Sequence, residues 1–436
     1  MQAADSTLAQ SVQRKLLLWL IVPIAGITFV NAIDRVNISY AGFALSADLG
    51  LAPDQFGLGA SLFFVAYLLF QYPHALLLQR IGIRWWIFTA MCGWGISSWW
   101  MSRVQSAEGF YGARFLLGIA ESGLAPGMTW LVARWTPGWA RGRAMAGVLV
   151  AVPLSMVLGG PLCGWLLGLD NPQGLPAWRG MFLLLAVPNF VLAVVAALYF
   201  VDTPAQARWL TADEKQWLQQ AIAQDHGEAA AELPRSFWLK DPWLWRCAIT
   251  WLLVMTGSYA LVFWLPQLVR QLTISDSELV IGTLSAVPLA GLALGLLFNG
   301  WHSDRSGERL LHVGVPSALG GLALLLASVL PAGWAVLALL TAAGFGIGAA
   351  QGVFWTIPPA MKIGGDRTPV GAIALISMAG TAGGIIGPWL IGKVLVLGGS
   401  FGVAIALLAL LLVVAFLPLN WKPRKQVQLK LKPKEP

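Results

Sequence analysis

Apolar runs of membrane-crossing length recur from one end of this chain to the other. A transmembrane helix needs about 20 mostly apolar residues. Twelve segments come close to that length, near 16–41, 56–78, 85–102, 110–133, 144–169, 179–201, 244–270, 279–301, 310–330, 334–360, 369–396 and 400–420. The only long polar stretch, residues 202–243, falls between the sixth and the seventh. Within it, "LTADEKQWLQQAI" predicts an amphipathic helix capped by Thr211, with Glu214 three residues on at the capping-box spacing. The pattern therefore predicts an all-α polytopic membrane protein. Its parts are an N-terminal tail (1–15), a six-helix bundle (16–201), a central loop (202–243), a second six-helix bundle (244–420) and a basic tail (421–436).

Composition narrows the class further. The 436 residues are 57% hydrophobic and 11% charged, against about 25% charged in soluble domains, so no sizeable soluble domain is expected. The net charge of +8 follows from where Lys and Arg fall. Arg14, Lys15, Arg80, Arg84, Arg134, Arg141, Arg143, Arg208, Lys215, Arg305 and Arg309 lie on one side, with most of the others. Only Arg103, Arg179, Arg270 and Lys393 lie opposite. By the positive-inside tendency both termini are cytoplasmic, in a multi-pass protein of the cytoplasmic (inner) membrane. Nucleic-acid binding is not needed to explain the charge. The polar first fifteen residues carry no cleavage-site pattern, so no removable signal peptide is expected. Three cysteines, Cys92, Cys163 and Cys247, are odd in number and sit in or beside spans, which argues for packing roles. Trp85, Trp86, Trp99, Trp100, Trp135 and Trp139 lie near span ends, where aromatic belts are expected.

The halves echo each other. Gln79, Arg80, Gly82 and Arg84 after the second span match Asp304, Arg305, Gly307 and Arg309 after the eighth, each pair 225 residues apart. Gly160-Pro161 in the fifth span matches Gly387-Pro388 in the eleventh at an offset of 227. Two echoes at nearly one offset suggest duplicated halves, an arrangement typical of secondary transporters.

At these motifs the chain resembles the major facilitator superfamily. Gly300, Asp304, Arg305, Gly307 and Arg309 fill its loop signature G-x-x-x-D-R-x-G-x-R in the second half, while Gln79 stands where Asp is usual in the first. Within the superfamily the chain is similar to the anion:cation symporters. That likeness rests on "DRVN" (34–37), "FGLGASLFFVAYLLFQYP" (56–73), "RFLLGIAESGLAPGM" (114–128), "AWRGMFLLLAVP" (177–188), "FWLP" (263–266) and "ALISMAGTAGGIIGPWLIG" (374–392). The resemblance implies the major facilitator fold and proton-coupled uptake of organic anions, and ties Asp34, Arg35 and Glu121 to proton coupling and substrate binding.

The residues themselves point the same way. A charge at the bilayer centre costs roughly 2.5–3.5 kcal/mol on insertion scales, yet Asp34, Arg35, Arg114 and Glu121 remain inside spans, all in the first half. Arg114 and Glu121 are seven residues apart and share a helix face. Two guanidinium forks can hold a carboxylate bidentately and cannot be titrated away. An incoming anion would compete for them and leave Asp34 and Glu121 to take up protons. The plain alternative is an ion-pair network that only fastens spans one and four together. Tyr67, Gln71, Tyr259, Trp355 and Ser377 are further candidates for substrate contact.

The expected function is thus proton-coupled symport of a small organic carboxylate by a transporter that is not an enzyme. The expected partners are the carboxylate, protons and the bilayer, with no cofactor, and sodium coupling stays open. A monomer is expected. Few polar side chains line spans five, seven, ten and eleven, favouring an aromatic or dicarboxylic acid over a sugar acid. Two alternatives remain, a sugar-acid symporter and a proton-coupled exporter of a drug-like compound. No phosphate-binding loop or metal-ligand spacing is present in the sequence.

Overall fold

A computed structural model describes residues 2–169, 174–224, 238–272, 277–361, 363 and 370–420. Part of the central loop and the basic tail from 421 lie outside the described residues, so expectations placed there are not addressed by it. Eleven helices among the described residues are long and apolar enough to cross a membrane. One of them, Pro53–Met101, is two spans joined at Gly82, whose φ of 76° and ψ of 171° break the helical path. The twelve expected spans are therefore all present. Gly307 ends the eighth span with φ 70°, so both repeats of the loop signature place glycine in the left-handed region that other residues disfavour.

The chain forms two compact units. The first holds residues 1–35, 66–155 and 178–231; the second holds 36–65, 156–177 and 232–436.

In the first unit the polar N-terminal stretch is itself helical, Gln2–Leu16, and runs through a π-helical turn at Leu17–Ile21 into the first span, Val22–Leu49. The central-loop helix, Ala212–Gln224, carries the expected capping box. The Glu214 amide donates to Thr211 Oγ1 at 3.3 Å, and the Thr211 amide donates to Glu214 Oε2 at 2.8 Å. Glu214 also accepts from Lys15 Nζ and Ser11 Oγ, each at 2.7 Å, which ties this helix to the N-terminal one. Burial pushes the Glu214 carboxyl up, but the bonds from Lys15, Thr211 and Ser11 outweigh it and hold the group at about 2.

The second unit is packed by helix pairs, with Glu278–Ser306 against Trp334–Phe354 and Pro242–Leu272 against Val370–Val396. Small residues let the backbones approach, as membrane helix packing requires. A methyl group on Gly348 would overlap the Leu292 carbonyl, and one on Gly160 would overlap that of Gly282. Ion pairs in this unit include Lys393 Nζ to Asp54 Oδ2 at 2.7 Å and Arg270 to Glu278.

The tryptophan expectation divides. Trp85, Trp99, Trp100 and Trp139 are exposed, as belt residues should be, but Trp86 and Trp135 are each 1% exposed and belong to the core. Trp86 is buried because it fills the space left by Gly123 and Gly127 in span four, where any side chain would strike its indole ring.

Candidate functional site

Asn31, Asp34 and Arg35 occupy a little over one turn of an unbroken helix. Adjacent residues on a helix point about 100° apart, so Asp34 and Arg35 face different partners. Arg35 reaches span four, where its Nε and Nη2 donate to one oxygen of Glu121, Oε2, at 3.0 and 2.9 Å. A longer contact of 3.5 Å runs from Arg35 Nη2 to Asn31 Oδ1. The same guanidinium lies 5.4 Å from the centre of the Tyr67 ring, within cation–π range.

Span four is capped by Ser106, whose hydroxyl accepts from the Gly109 amide, and its first helix runs Ala107–Glu121. The helix is interrupted directly after Glu121 and resumes at Leu124–Trp135. His74 and Trp86 pack against Gly123 at this break. Arg114 and Glu121 are both fully buried, and the Arg114 charge acts on those of Glu121, Arg35 and Asp34.

Asp34 faces span six. Asn189 Nδ2 donates to Asp34 Oδ2 at 2.6 Å and to the Leu185 carbonyl at 3.2 Å. Asn189 is 0% exposed and Asp34 1%. Sequence reasoning missed Asn189. The available signal was a lone amide in an apolar span directly after Pro188, whose missing N–H leaves a helix carbonyl without its usual donor.

The first unit therefore gathers Asp34, Arg35, Arg114, Glu121, Asn189 and Tyr67, with Gln71 half-buried one turn beyond Tyr67. If all four charged groups are ionised, the cluster sums to zero: two guanidinium cations against two carboxylates. Such a cluster can exchange an internal carboxylate for an external one at the Arg35 fork.

Tyr259, Trp355 and Ser377 belong to the second unit. There Tyr259 lies against Phe64 with ring centres 4.4 Å apart. Trp355 meets Trp251 edge-on at 5.3 Å, and Trp251 stacks on Phe354 at 4.3 Å. Gln351 Nε2 donates to Ser258 Oγ at 2.9 Å. Ser377 is half-buried one turn before Gly380, which the Trp251 ring abuts. Trp251 was also missed; it shares a helix face with Met255, Ser258 and Tyr259, a spacing that can be read in "TWLLVMTGSY".

The loop signatures differ between repeats. In the second, Asp304 pairs with Arg309 at 2.7 Å, Arg309 Nη1 donates to Ser303 Oγ at 2.9 Å, and Arg305 lies over the Trp301 ring at 4.2 Å. Gly300 there faces open space. In the first, Arg80 is exposed and Arg84 lies over the Trp85 ring at 5.3 Å. Gln79 offers no carboxylate, but Asp202, just past span six, supplies one. Its Oδ1 accepts from the Ile83 amide at 2.7 Å and the Arg84 amide at 3.5 Å, directly after Gly82.

Comparison with known proteins agrees with this architecture. The family model for the Major Facilitator Superfamily matches residues 24–361. A protein of Agrobacterium vitis, provisionally assigned as a tartrate transporter, is 35% identical over 412 residues, covering 94% of each chain. A quinolone resistance transporter of Acinetobacter baumannii is 34% identical over 375 residues, 85% of this chain and 86% of the other. Among solved structures, a D-xylose-proton symporter superposes with a TM-score of 0.72 at 14% identity, over 95% of this chain and 98% of that one. That last likeness is one of fold. The chain belongs to the Major Facilitator Superfamily and is a multi-pass membrane transporter.

Proposed function

We propose that this transporter takes up a small organic carboxylate with protons, by alternating access, across the cytoplasmic membrane. Both termini are then cytoplasmic, the bundles 16–201 and 244–420 move against each other, and the working unit is a monomer. The observation that carries the reading is the Arg35 fork clasping Glu121 inside a buried cluster. A substrate carboxylate arriving at Arg35 and Arg114 competes with Glu121 for the guanidinium. The buried cluster would then hold one excess negative charge, which is costly in a low dielectric. A proton on Glu121 or Asp34 restores neutrality, giving one proton for each carboxylate bound. Asp34 and Glu121 are the proton-coupling residues in this reading, and Arg35 and Arg114 the anion-binding ones.

Tyr67 and Gln71 flank the anion-binding arginines, and Tyr259, Trp355 and Ser377 contact the rest of the substrate. Arg80, Gly82, Arg84, Gly300, Asp304, Arg305, Gly307 and Arg309 act in the conformational change. The aromatic faces around Trp251, Tyr259 and Trp355 offer few hydrogen-bonding groups, which favours a planar, sparsely hydroxylated acid. The Agrobacterium relative's name supports a hydroxylated dicarboxylate or sugar acid as the alternative.

The test uses Glu121→Gln in proteoliposomes with an imposed pH gradient. The variant is expected to exchange substrate across the membrane but not to accumulate it. Full gradient-driven accumulation would overturn the coupling role. The Acinetobacter relative's name supports a second reading, export of a drug-like compound. Substrate efflux driven by inward proton flow, in place of uptake, would establish it.

A further inference from the structure

The cation-rich loop after span four bounds a groove that shares no residue with the buried charged cluster. Within the first unit, the end of span four, the start of span five, the segment after span six and the central-loop helix border an open groove of about 790 Å³. Arg134 and Arg141 stand on one side, Pro204 beside them, and Gln219 and Ile222 project from the helix. No acidic side chain is among the described residues that line it. The one carboxylate that the central helix buries, Glu214, is committed to Lys15 and Ser11.

The arginines are already in position. Arg141 Nε donates to the Thr136 carbonyl at 3.2 Å and its Nη2 to the Ala133 carbonyl at 3.3 Å. These bonds cap the end of span four and hold the guanidinium plane. Arg134 rests over the Trp130 ring at 5.1 Å. The groove also lies at a recognisable depth. Trp130 lines it, and Trp139 is exposed in the same loop. Indole rings gather where bilayer meets water. The floor is set independently of any ligand, because the Lys15–Glu214 pair anchors the central helix.

We propose that this groove binds the headgroup of an anionic glycerophospholipid, with its phosphate between Arg134 and Arg141 and its glycerol against Ile222 and Pro204. The volume is that of a pocket for a drug-sized molecule, far more than one inorganic anion fills. Basic pockets at the cytoplasmic end of membrane helices suit such headgroups, and the arginine side of this protein is the one expected to be cytoplasmic.

The test is thermal unfolding of the purified full-length protein in a neutral detergent, titrated separately with dioleoylphosphatidylglycerol, dioleoylphosphatidylcholine and sodium phosphate. Only the phosphatidylglycerol is expected to raise the melting temperature. An equal rise with phosphatidylcholine would show a general lipid effect, and an equal rise with inorganic phosphate would make the groove a free-anion site. Either would overturn the proposal. Substituting Arg134→Gln and Arg141→Gln together should weaken the half-saturating lipid concentration roughly thirtyfold, at about one charge's worth of attraction each. Because Arg141 also caps a helix, two milder variants separate binding from folding. Arg134→Gln alone should weaken it about fivefold, and Ile222→Trp should weaken it by filling the groove with both arginines intact. An unchanged response in both would sink the assignment.

Discussion

The two compact units solve the interior of a membrane protein in different ways. The first buries Asp34, Arg114 and Glu121, with Arg35 partly covered, and pairs Arg35 with Glu121 and Asp34 with Asn189. The second fills its interior with Trp251, Val254, Phe354, Ile376 and similar apolar side chains, and its polar contacts there are neutral ones such as Gln351 to Ser258. A buried ion pair adds little stability that a well-packed apolar core would not supply. The difference therefore reads as a division of labour, in which one region keeps costly charges for chemistry and the other keeps shape. Each substitution below either sharpens that contrast or erases it.

The largest effect is expected at the Arg35 fork. Arg35→Lys keeps the positive charge but loses the paired Nε and Nη2 donors that now meet Glu121. Hydrogen bonds between charged groups contribute about 1.5–3 kcal/mol each, so uptake should fall on the order of a hundredfold with membrane expression unchanged. Tyr259→Phe in the second unit removes only a hydroxyl and should cost less than about tenfold. Radiolabelled uptake by both variants decides the matter, and equal losses would erase the contrast.

Next comes stability. Asn189→Leu strips a donor from a buried carboxylate, whereas Gln351→Leu strips one from a neutral serine. The first should cost about 2–3 kcal/mol and the second about 1 kcal/mol. Thermal unfolding in detergent would show it, and a larger drop for Gln351→Leu would count against a special charged core.

How much of this was readable beforehand depends on the kind of signal. Twelve spans were legible because an apolar run of bilayer length has few other destinations. Gly82 and Gly307 were legible as a repeated motif, and their positive φ explains why the motif carries glycine. Asp34, Arg35, Arg114 and Glu121 stood out as charges within apolar runs. Asn189 did not, since a single amide is cheap enough in a span to pass as incidental. Trp86 and Trp135 were misplaced because nearness to a span end does not say which way a helix face points. The Asp202 contact with the Gly82 loop was hidden for another reason: it joins residues 119 apart in sequence, and no local pattern reports such a pairing.

That contact separates the two loop signatures. Gly82→Ala must adopt an unfavourable φ and also bring a methyl group against the Asp202 carboxylate. Gly307→Ala meets the conformational penalty of about 1 kcal/mol. Gly82→Ala should therefore be the more destabilising by an amount measurable in unfolding curves. Equal losses would mean that Asp202 yields without cost.

The smallest effect concerns the anchor of the central helix, and it has a pH signature. Glu214 is held at about 2, below the usual glutamate value of 4.5, by Lys15, Thr211 and Ser11 acting against burial. A carboxyl depressed in the folded state binds fewer protons there than when unfolded, so its stabilisation is complete above about pH 4.5 and fades as pH falls toward 2. Lys15 is 31% exposed, so solvent screens the pair and the contribution is modest, about 1 kcal/mol or less. Glu214→Gln should unfold about one degree below the parent at pH 6 and show a smaller gap at pH 3.5. A gap that holds constant across that range would place the stabilisation in the shape of the cap and not in the charge of Glu214.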